Sequence, residues 1–188
     1  TVVVETGQAF VASLLSTIDP SCSTSTDGAI RFEVANFDAT TGFEYSMDSG
    51  ATWTTSLVSP VTTPANFAAA VYTIEVRIVA DNSCITDFPA TITAPAPIVP
   101  QLTQIADYTC FNTGGTLEAS ATGGSPIYEY RLEDLGGTEI AAYQTNPRFT
   151  NIPDGDYLVR VRDTNGCEAL LPLSEAVTVD PPATIAFD

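Results

Sequence analysis

Four cysteines and a scatter of carboxylates are the side chains of this 188-residue sequence whose types and spacing could do chemistry. The chain has no histidine and no lysine. A serine or cysteine nucleophile therefore lacks both the imidazole and the amine that would take its proton, which removes triad and Ser–Lys hydrolase plans. Paired carboxylates remain, as Glu133 with Asp134 and Asp154 with Asp156. Glycosidases set two such groups across a cleft, whereas both pairs here fall in segments that read as turns, where acids cap and solvate. Gly114-Gly115 and Gly123-Gly124 lack the lysine and the helix start of a phosphate cradle and also read as turns. Calcium is the stronger candidate cofactor, because Asp81, Asp154, Asp156 and Asp163 would supply hard oxygen ligands. The full acidic calcium-loop motif is absent, and turn chemistry accounts for the same residues. The sequence thus assigns no catalytic residue and reads as a non-enzyme.

The cysteines fall into one widely spaced pair per half of the chain, Cys22 with Cys84 and Cys110 with Cys167. Four cysteines allow three disulfide connectivities, and the symmetry of the halves favours pairing within each. Zinc would need closely spaced Cys or His ligands, which the sequence does not offer; free buried thiols are the other alternative. Disulfides persist in oxidising surroundings, which places the chain outside the cell or on its surface.

Charge limits the partners. Against 23 acidic residues stand 6 basic ones, all arginine, for a net charge of −17. Phosphate backbones would be repelled, which excludes nucleic acid. No run of 18 apolar residues occurs, since Val2 to Leu15 is broken by Glu5, Thr6, Gly7 and Gln8; membrane insertion by a helix is not expected.

The elements that must position these residues are strands, and they are written twice. Cys22, Gly28, Tyr45, Tyr72, Cys84 and Pro95 are followed in the same order by Cys110, Gly115, Tyr130, Tyr157, Cys167 and Pro181, with 88 residues from Cys22 to Cys110. That period matches a small sandwich domain and exceeds a solenoid unit. Tyr72 to Ile78 alternates apolar and polar with period two, and Tyr157 to Arg162 nearly repeats it. Further strands are expected at 29–34, 43–47, 53–58 and 91–93, and at 116–121, 127–132, 138–143 and 176–179, with hairpin turns at Asp48-Ser49-Gly50 and Asp134–Gly137. The expected fold is all-β: two tandem immunoglobulin-like antiparallel β-sandwich domains of about seven short strands each. Their boundaries are 1–95 and 96–181, with 182–188 opening a following repeat or serving as an exchanged strand. Ala94 to Pro100, with three prolines, reads as an extended, semi-rigid connection. Val2, Val3, Val4, Ile185 and Phe187 are the candidate strand-exchange residues, because an open sheet edge invites strand addition.

Two local patterns resemble known families. Ser46-Met47-Asp48-Ser49-Gly50-Ala51-Thr52-Trp53 resembles the Asp-box hairpin of sialidase-like propellers, which implies a structural turn with the tryptophan packed beneath it. One box in 188 residues cannot make a propeller. An exposed Trp53 gripping a sugar ring is the functional alternative, with surface glycans as partners. Over residues 110–181 the chain resembles the SprB-type repeat of very large Bacteroidota surface proteins, including gliding-motility adhesins. The residues that carry this are Ala121-Thr122-Gly123-Gly124-Ser125-Pro126, Phe149 to Tyr157, and Asp163-Thr164-Asn165-Gly166-Cys167. Over 22–95 the likeness is weaker: Ala35 to Thr41 replaces the glycine-rich segment, and Asn82-Ser83-Cys84 replaces Asn-Gly-Cys. The resemblance implies type IX secretion and a cell-surface adhesin stalk or filament whose partners are neighbouring repeats or subunits of the same protein.

Overall fold

The computed structural model describes residues 10–79, 81–109, 114–169 and 174–182, with the backbone alone at 81–83. The chain divides into two compact units, Thr1–Ala94 and Pro95–Asp188. In the first, seven strands follow one another: β1 (Val11–Ile18), β2 (Ala29–Ala35), β3 (Phe43–Ser46), β4 (Thr54–Ser56), β5 (Val61–Thr62), β6 (Ala70–Ile78) and β7 (Asp81–Ile92). They form one sheet in the order β1-β2-β5 and another in the order β4-β3-β6-β7. The second unit repeats this with β8 (Val99–Ala106), β9 (Gly115–Thr122), β10 (Tyr128–Asp134), β11 (Glu139–Gln144), β12 (Arg148–Ile152), β13 (Gly155–Asp163) and β14 (Val177–Val179). Its sheets run β8-β9-β12 and β11-β10-β13-β14. Every pairing is antiparallel. Each unit is an immunoglobulin-like sandwich of three strands against four, and the described residues contain no helix.

Period-two alternation builds both cores. On β2, Ile30, Phe32 and Val34 point inward while Arg31 and Glu33 face out. They meet Phe43, Ile74, Val76, Ala90 and Ile92 of the opposite sheet in one cluster. Phe32 is the centre of an aromatic group, edge-on to Tyr45 at 5.2 Å and tilted against Phe88 at 5.8 Å. In the second unit Leu102, Leu117, Ala119 and Phe149 of one sheet are buried, as are Leu132, Tyr157, Val159, Val161 and Val179 of the other. A unit of about ninety residues buries too little surface to have much in reserve, so each of these aromatic residues matters.

A tyrosine corner closes each sandwich. The Tyr72 hydroxyl donates to the Ala68 carbonyl at 3.0 Å, and the Tyr157 hydroxyl to the Pro153 carbonyl at 3.0 Å, each four residues back at the start of the sixth strand. This device is characteristic of immunoglobulin-like domains, and here it occurs at matching positions of both copies.

Four strands, β1, β5, β8 and β12, fall outside those expected from the sequence, and β7 runs Asp81–Ile92 where only 91–93 was expected. β5 has only two residues. β1 carries a bulge between Leu14 and Ser16, which breaks its alternation. β12 bends where Asn151 takes φ of 60° and the register slips before Ile152. β8 starts at Val99 and contains Pro100, so the connection between units is shorter than its prolines suggest. A proline lacks the N–H of a central strand but is tolerated in β8, which lies at a sheet edge.

The glycine pair Gly123-Gly124 serves the close passage of the entering chain over the β9–β10 connection. Gly124 N–H donates to the Ala96 carbonyl at 2.7 Å. A Cβ on Gly123 (φ 80°) would sit 2.0 Å from the Pro97 carbonyl oxygen, and one on Gly124 would meet Ile98 at 2.7 Å.

The sole tryptophan, Trp53, lies in the first unit, so tryptophan fluorescence follows that unit alone. Phe32→Ala is expected to destabilise the transition it reports by about 3–5 kcal/mol in urea. Tyr157→Phe should cost the second unit about 1 kcal/mol, read by far-ultraviolet circular dichroism, and leave the tryptophan-reported transition in place.

Candidate functional site: the outer faces of the four-stranded sheets

The sixth strand buries one set of side chains and presents the alternate set outward, and that outward set carries the concentrated polar chemistry of each unit. In the first unit Arg77 on β6 lies opposite Glu44 on β3, with Nε to Oε2 at 2.7 Å. Its guanidinium stacks on the Trp53 ring 3.8 Å from the centroid. In the second unit Arg162 on β13 lies opposite Glu129 on β10, with Nε to Oε2 at 2.5 Å. Its guanidinium lies 4.1 Å from the Tyr143 ring centroid. Glutamate from the third strand, arginine from the sixth and an aromatic from the fourth or its approach thus recur at matching places. Cation–π stacking of this kind contributes on the order of 1 kcal/mol at a partly exposed site.

The second unit extends the triad into a network. Glu133, 2% exposed, is bridged by Arg131 and by Arg160, whose Nε lies 3.0 Å from Oε1. Glu168 accepts from the Tyr143 hydroxyl at 3.0 Å and lies 3.6 Å from Arg160. Burial and the Glu168 carboxylate push the Tyr143 hydroxyl up to about 12. The hydrogen bond to Glu133 holds Arg160 above its ordinary range. The pair Glu133-Asp134 is thereby divided between two structural jobs, since Glu133 is neutralised by two arginines while Asp134 Oδ1 accepts the Thr138 N–H at 2.8 Å. Three arginines face four carboxylates there, since Arg131 also lies 3.4 Å from Glu139, and each carboxylate is engaged by arginine or tyrosine.

The Asp-box sequence forms a closed set of hydrogen bonds. Asp48 Oδ1 accepts from the Ser46 hydroxyl and the Thr52 N–H, both at 2.8 Å, and Oδ2 accepts the Thr52 hydroxyl at 2.6 Å. Gly50 N–H donates to Ser46 Oγ at 2.9 Å, and Trp53 Nε1–H donates to the Gly50 carbonyl at 3.0 Å. These bonds hold Asp48 down at about 2, the Thr52 hydroxyl contributing most. Ser49 and Gly50 both take positive φ, 57° and 79°, which the clamp holds in place. Trp53 is half-buried, with one face covered by Arg77 and its N–H engaged. The second unit keeps half of this device: Asp134-Leu135-Gly136-Gly137-Thr138 shares D-x-G-x-T with Asp48 to Thr52, and the same carboxylate-to-amide bond.

The other calcium candidates are placed as follows. Asp163 is 5% exposed, and its carboxylate accepts the N–H groups of Asn165, Cys167 and Ser125 at 2.9, 3.0 and 2.9 Å. Asp156 accepts the Thr178 hydroxyl at 2.6 Å. Asp154 is exposed in the approach to β13, and Asp81 opens β7 with its side chain outside the description. Among the described residues no group of three or more Cys, Asp or Glu could hold a metal.

One cysteine expectation is corrected. Cys22 and Cys167 are disulfide-bonded, but Cys84 is a free, exposed thiol, so Cys22 and Cys84 are not joined. Cys22 follows Asp19, whose carboxylate accepts the N–H and hydroxyl of Thr93 at 2.9 and 2.7 Å beyond the end of β7. Cys84 lies nine residues up that same strand, about 30 Å away at the rise of a β-strand. Bonded cysteines need Cα atoms within about 7 Å. Repeat symmetry in sequence does not reveal that the two residues occupy opposite poles of one sandwich. Cys110 and the exchange candidates Val2, Val3, Val4, Ile185 and Phe187 lie outside the described residues.

No protein-family model and no curated protein matches the chain. Among solved structures it is similar to the fibronectin(III)-like modules of Clostridium thermocellum CbhA, with 13% identity over 91% of this chain and 95% of that one, TM-score 0.34. It is also similar to Dscam in a structure on isoform specificity, with 12% identity, 91% and 46% coverage and TM-score 0.36. A third likeness is to three N-terminal domains of the bacteriophage RB49 outer capsid protein Hoc, with 14% identity, 88% and 59% coverage and TM-score 0.48. The chain spans about half the length of the latter two.

Asp48 gives a pH test. Its folded value lies below the unfolded one, so its contribution is present above the usual carboxylate range and is lost as pH falls through about 2. Asp48→Ala should lower the urea midpoint read by Trp53 fluorescence at pH 6, and the difference from the parent should shrink steadily toward pH 2. In the second unit, Arg160→Met should destabilise by about 1–3 kcal/mol in a urea titration, below the full cost of an orphaned buried charge because Arg131 still faces Glu133.

Proposed function

We propose that the chain is a non-enzymatic structural segment of an extracellular adhesin stalk or surface filament built from tandem immunoglobulin-like repeats of the SprB type. The observation that carries this reading is duplication of the structural devices themselves: the tyrosine corner, the Glu–Arg–aromatic triad and the aspartate-clamped hairpin each recur at matching positions. A domain evolved around a single ligand keeps one site. A chain evolved for length repeats what holds each bead together. The bonded cysteines agree with an oxidising, extracellular setting, and the charge of −17 keeps neighbouring surface molecules apart. Secretion by the type IX route and a role in gliding motility belong to the same reading. Of the calcium candidates, Asp163 is engaged by three backbone N–H groups and Asp156 by the Thr178 hydroxyl.

Stretching the chain between handles in a single-molecule force measurement, with reductant present so that no disulfide shortens the release, tests the reading. Two separate unfolding events are expected, each freeing about 300 Å of contour for a unit of this size. A single cooperative event would count against independent beads. Saturable glycan binding that Trp53→Ala abolishes would establish a carbohydrate-binding module instead. Concentration-dependent growth in size exclusion, abolished by deleting Thr1 to Val4, would select the variant in which subunits polymerise by strand exchange.

A further inference from the structure

The first sandwich is open along one side where the second is filled. Gly28 is bridged to Phe67, as Gly115 is paired with Ile152. Two residues on, the Thr63 N–H donates to the Ile30 carbonyl at 3.0 Å and Thr63 Oγ1 accepts the Ile30 N–H at 3.0 Å, whereas Leu117 pairs with Phe149. Thr63 thus holds the place of Phe149, a buried ring of the second core. On the facing sheets Tyr45 and Tyr130 correspond, since they pair with Val76 and Val161 at the same offset from the two corner tyrosines. Their partners on the other side are Thr54 and Gln144. The Gln144 amide is engaged by the Asn146 and Arg148 carbonyls at 2.8 and 3.0 Å. The Thr54 hydroxyl has no partner among the described residues.

These exchanges leave a cleft of about 310 Å³ between β4 and β5 of the first unit. Both are edge strands, and β7, which leads on to the second unit, lies at the other edge of the β4 sheet. Tyr45, Met47 and Phe67 make an apolar wall. Thr54 lies directly opposite Tyr45, so its hydroxyl is on the face that Tyr45 turns to the core. Thr63 is 5% exposed, and its hydroxyl hydrogen meets no acceptor among the described residues. The Tyr45 hydroxyl and the Asn66 amide, which line the same cleft, are also unengaged among them. Unused donors beside an aromatic wall call for a ligand with both an apolar face and a polar edge. A pyranose has C–H groups on its faces and hydroxyls around its rim, and stacking on aromatic side chains uses the former. The volume lies at the lower end of small-molecule sites and suits a single ring. The ionised Asp48 at the cleft and the net charge of −17 disfavour an anionic sugar.

We propose that the cleft between β4 and β5 of the first unit binds one uncharged pyranose residue of a saccharide. The Thr63 hydroxyl donates to a sugar oxygen at the floor, Asn66 and the Tyr45 hydroxyl donate from the rim, and Asp48 accepts from a sugar hydroxyl. Phe67 and Met47 lie against the C–H face. This surface is distinct from the Trp53 ring, one face of which Arg77 covers. The site goes beyond the stalk reading and does not rest on it, since it lies within one bead.

The test is an amide-shift titration of the isotope-labelled 188-residue chain. The probes are the methyl glycosides of glucose, galactose, mannose and N-acetylglucosamine, with methyl glucuronoside as the charged sugar and N-acetylleucine amide as an apolar, non-sugar probe. At least one neutral glycoside is expected to shift the amides of Thr54, Thr63 and Asn66 saturably, and the glucuronoside to bind more weakly. Thr63→Phe, which installs the residue of the second unit, should close the cleft and abolish those shifts. Asn66→Ala changes an exposed side chain outside the core, and is expected to keep the fold and weaken binding about three- to tenfold. Absence of any saturable shift with the four glycosides would overturn the proposal, as would shifts centred on Trp53 and Arg77 or binding by the leucine amide alone. Binding left unchanged by Asn66→Ala would overturn it too. Two force-unfolding events are expected whichever way the titration falls, so failure of the site and failure of the bead reading are separately visible.

Discussion

The double use of the sixth strand is the constraint on which each unit depends. One face of β6 or β13 supplies the centre of the core, through Ile74 and Val76 or Tyr157, Val159 and Val161. The other face holds Arg77 or Arg162 in place between a carboxylate and a ring. Because side chains alternate with period two, a slip of one residue would bring arginine into the core and valine out of it. The tyrosine at the start of the strand ties it back to the preceding connection and fixes its phase. Pairing partners on both sides are then set, since this strand is central in its sheet.

The excess of acid follows partly from how the loops are made. Asp19, Asp27, Asp38, Asp48, Asp134 and Asp163 each accept backbone N–H groups. Neighbouring Thr or Ser hydroxyls, together with these bonds, hold Asp19, Asp27 and Asp38 below the usual carboxylate value, and the Thr138 N–H with its hydroxyl does the same for Asp134. An ionised carboxylate is the stronger acceptor, so acidity and turn rigidity come together. A short-stranded sandwich needs many turns, and aspartate closes them without a buried apolar residue. The arginines do the complementary work on the sheets: Arg77, Arg131, Arg160 and Arg162 gather on the outer faces, where a flat guanidinium can bridge carboxylate and ring together.

Strands whose two faces differ in polarity were legible in the sequence, and those whose job is geometric were not. Tyr72 to Ile78 and Tyr157 to Arg162 announce themselves because one face is in the core and the other is charged. β8 is obscured by Pro100, and β5 is too short for any period to show. At the candidate site, the shared offset from Tyr72 to Arg77 and from Tyr157 to Arg162 was visible, but the partners Glu44 and Glu129 come from a strand about thirty residues earlier and need the register. Trp53 and Tyr143 fall at different offsets in the two copies, so only the fold brings them to equivalent duties. The D-x-G-x-T correspondence of Asp48 and Asp134 could have been found by aligning the hairpins on aspartate instead of tryptophan.

The cysteines show where symmetry reasoning reaches its limit. Pairing within each repeat assumes that a disulfide compensates a small core by restricting the unfolded chain of that unit. Strand geometry denies Cys22 and Cys84 that bond, so the first unit stands without an internal staple, on its core cluster, its tyrosine corner and its clamped turns.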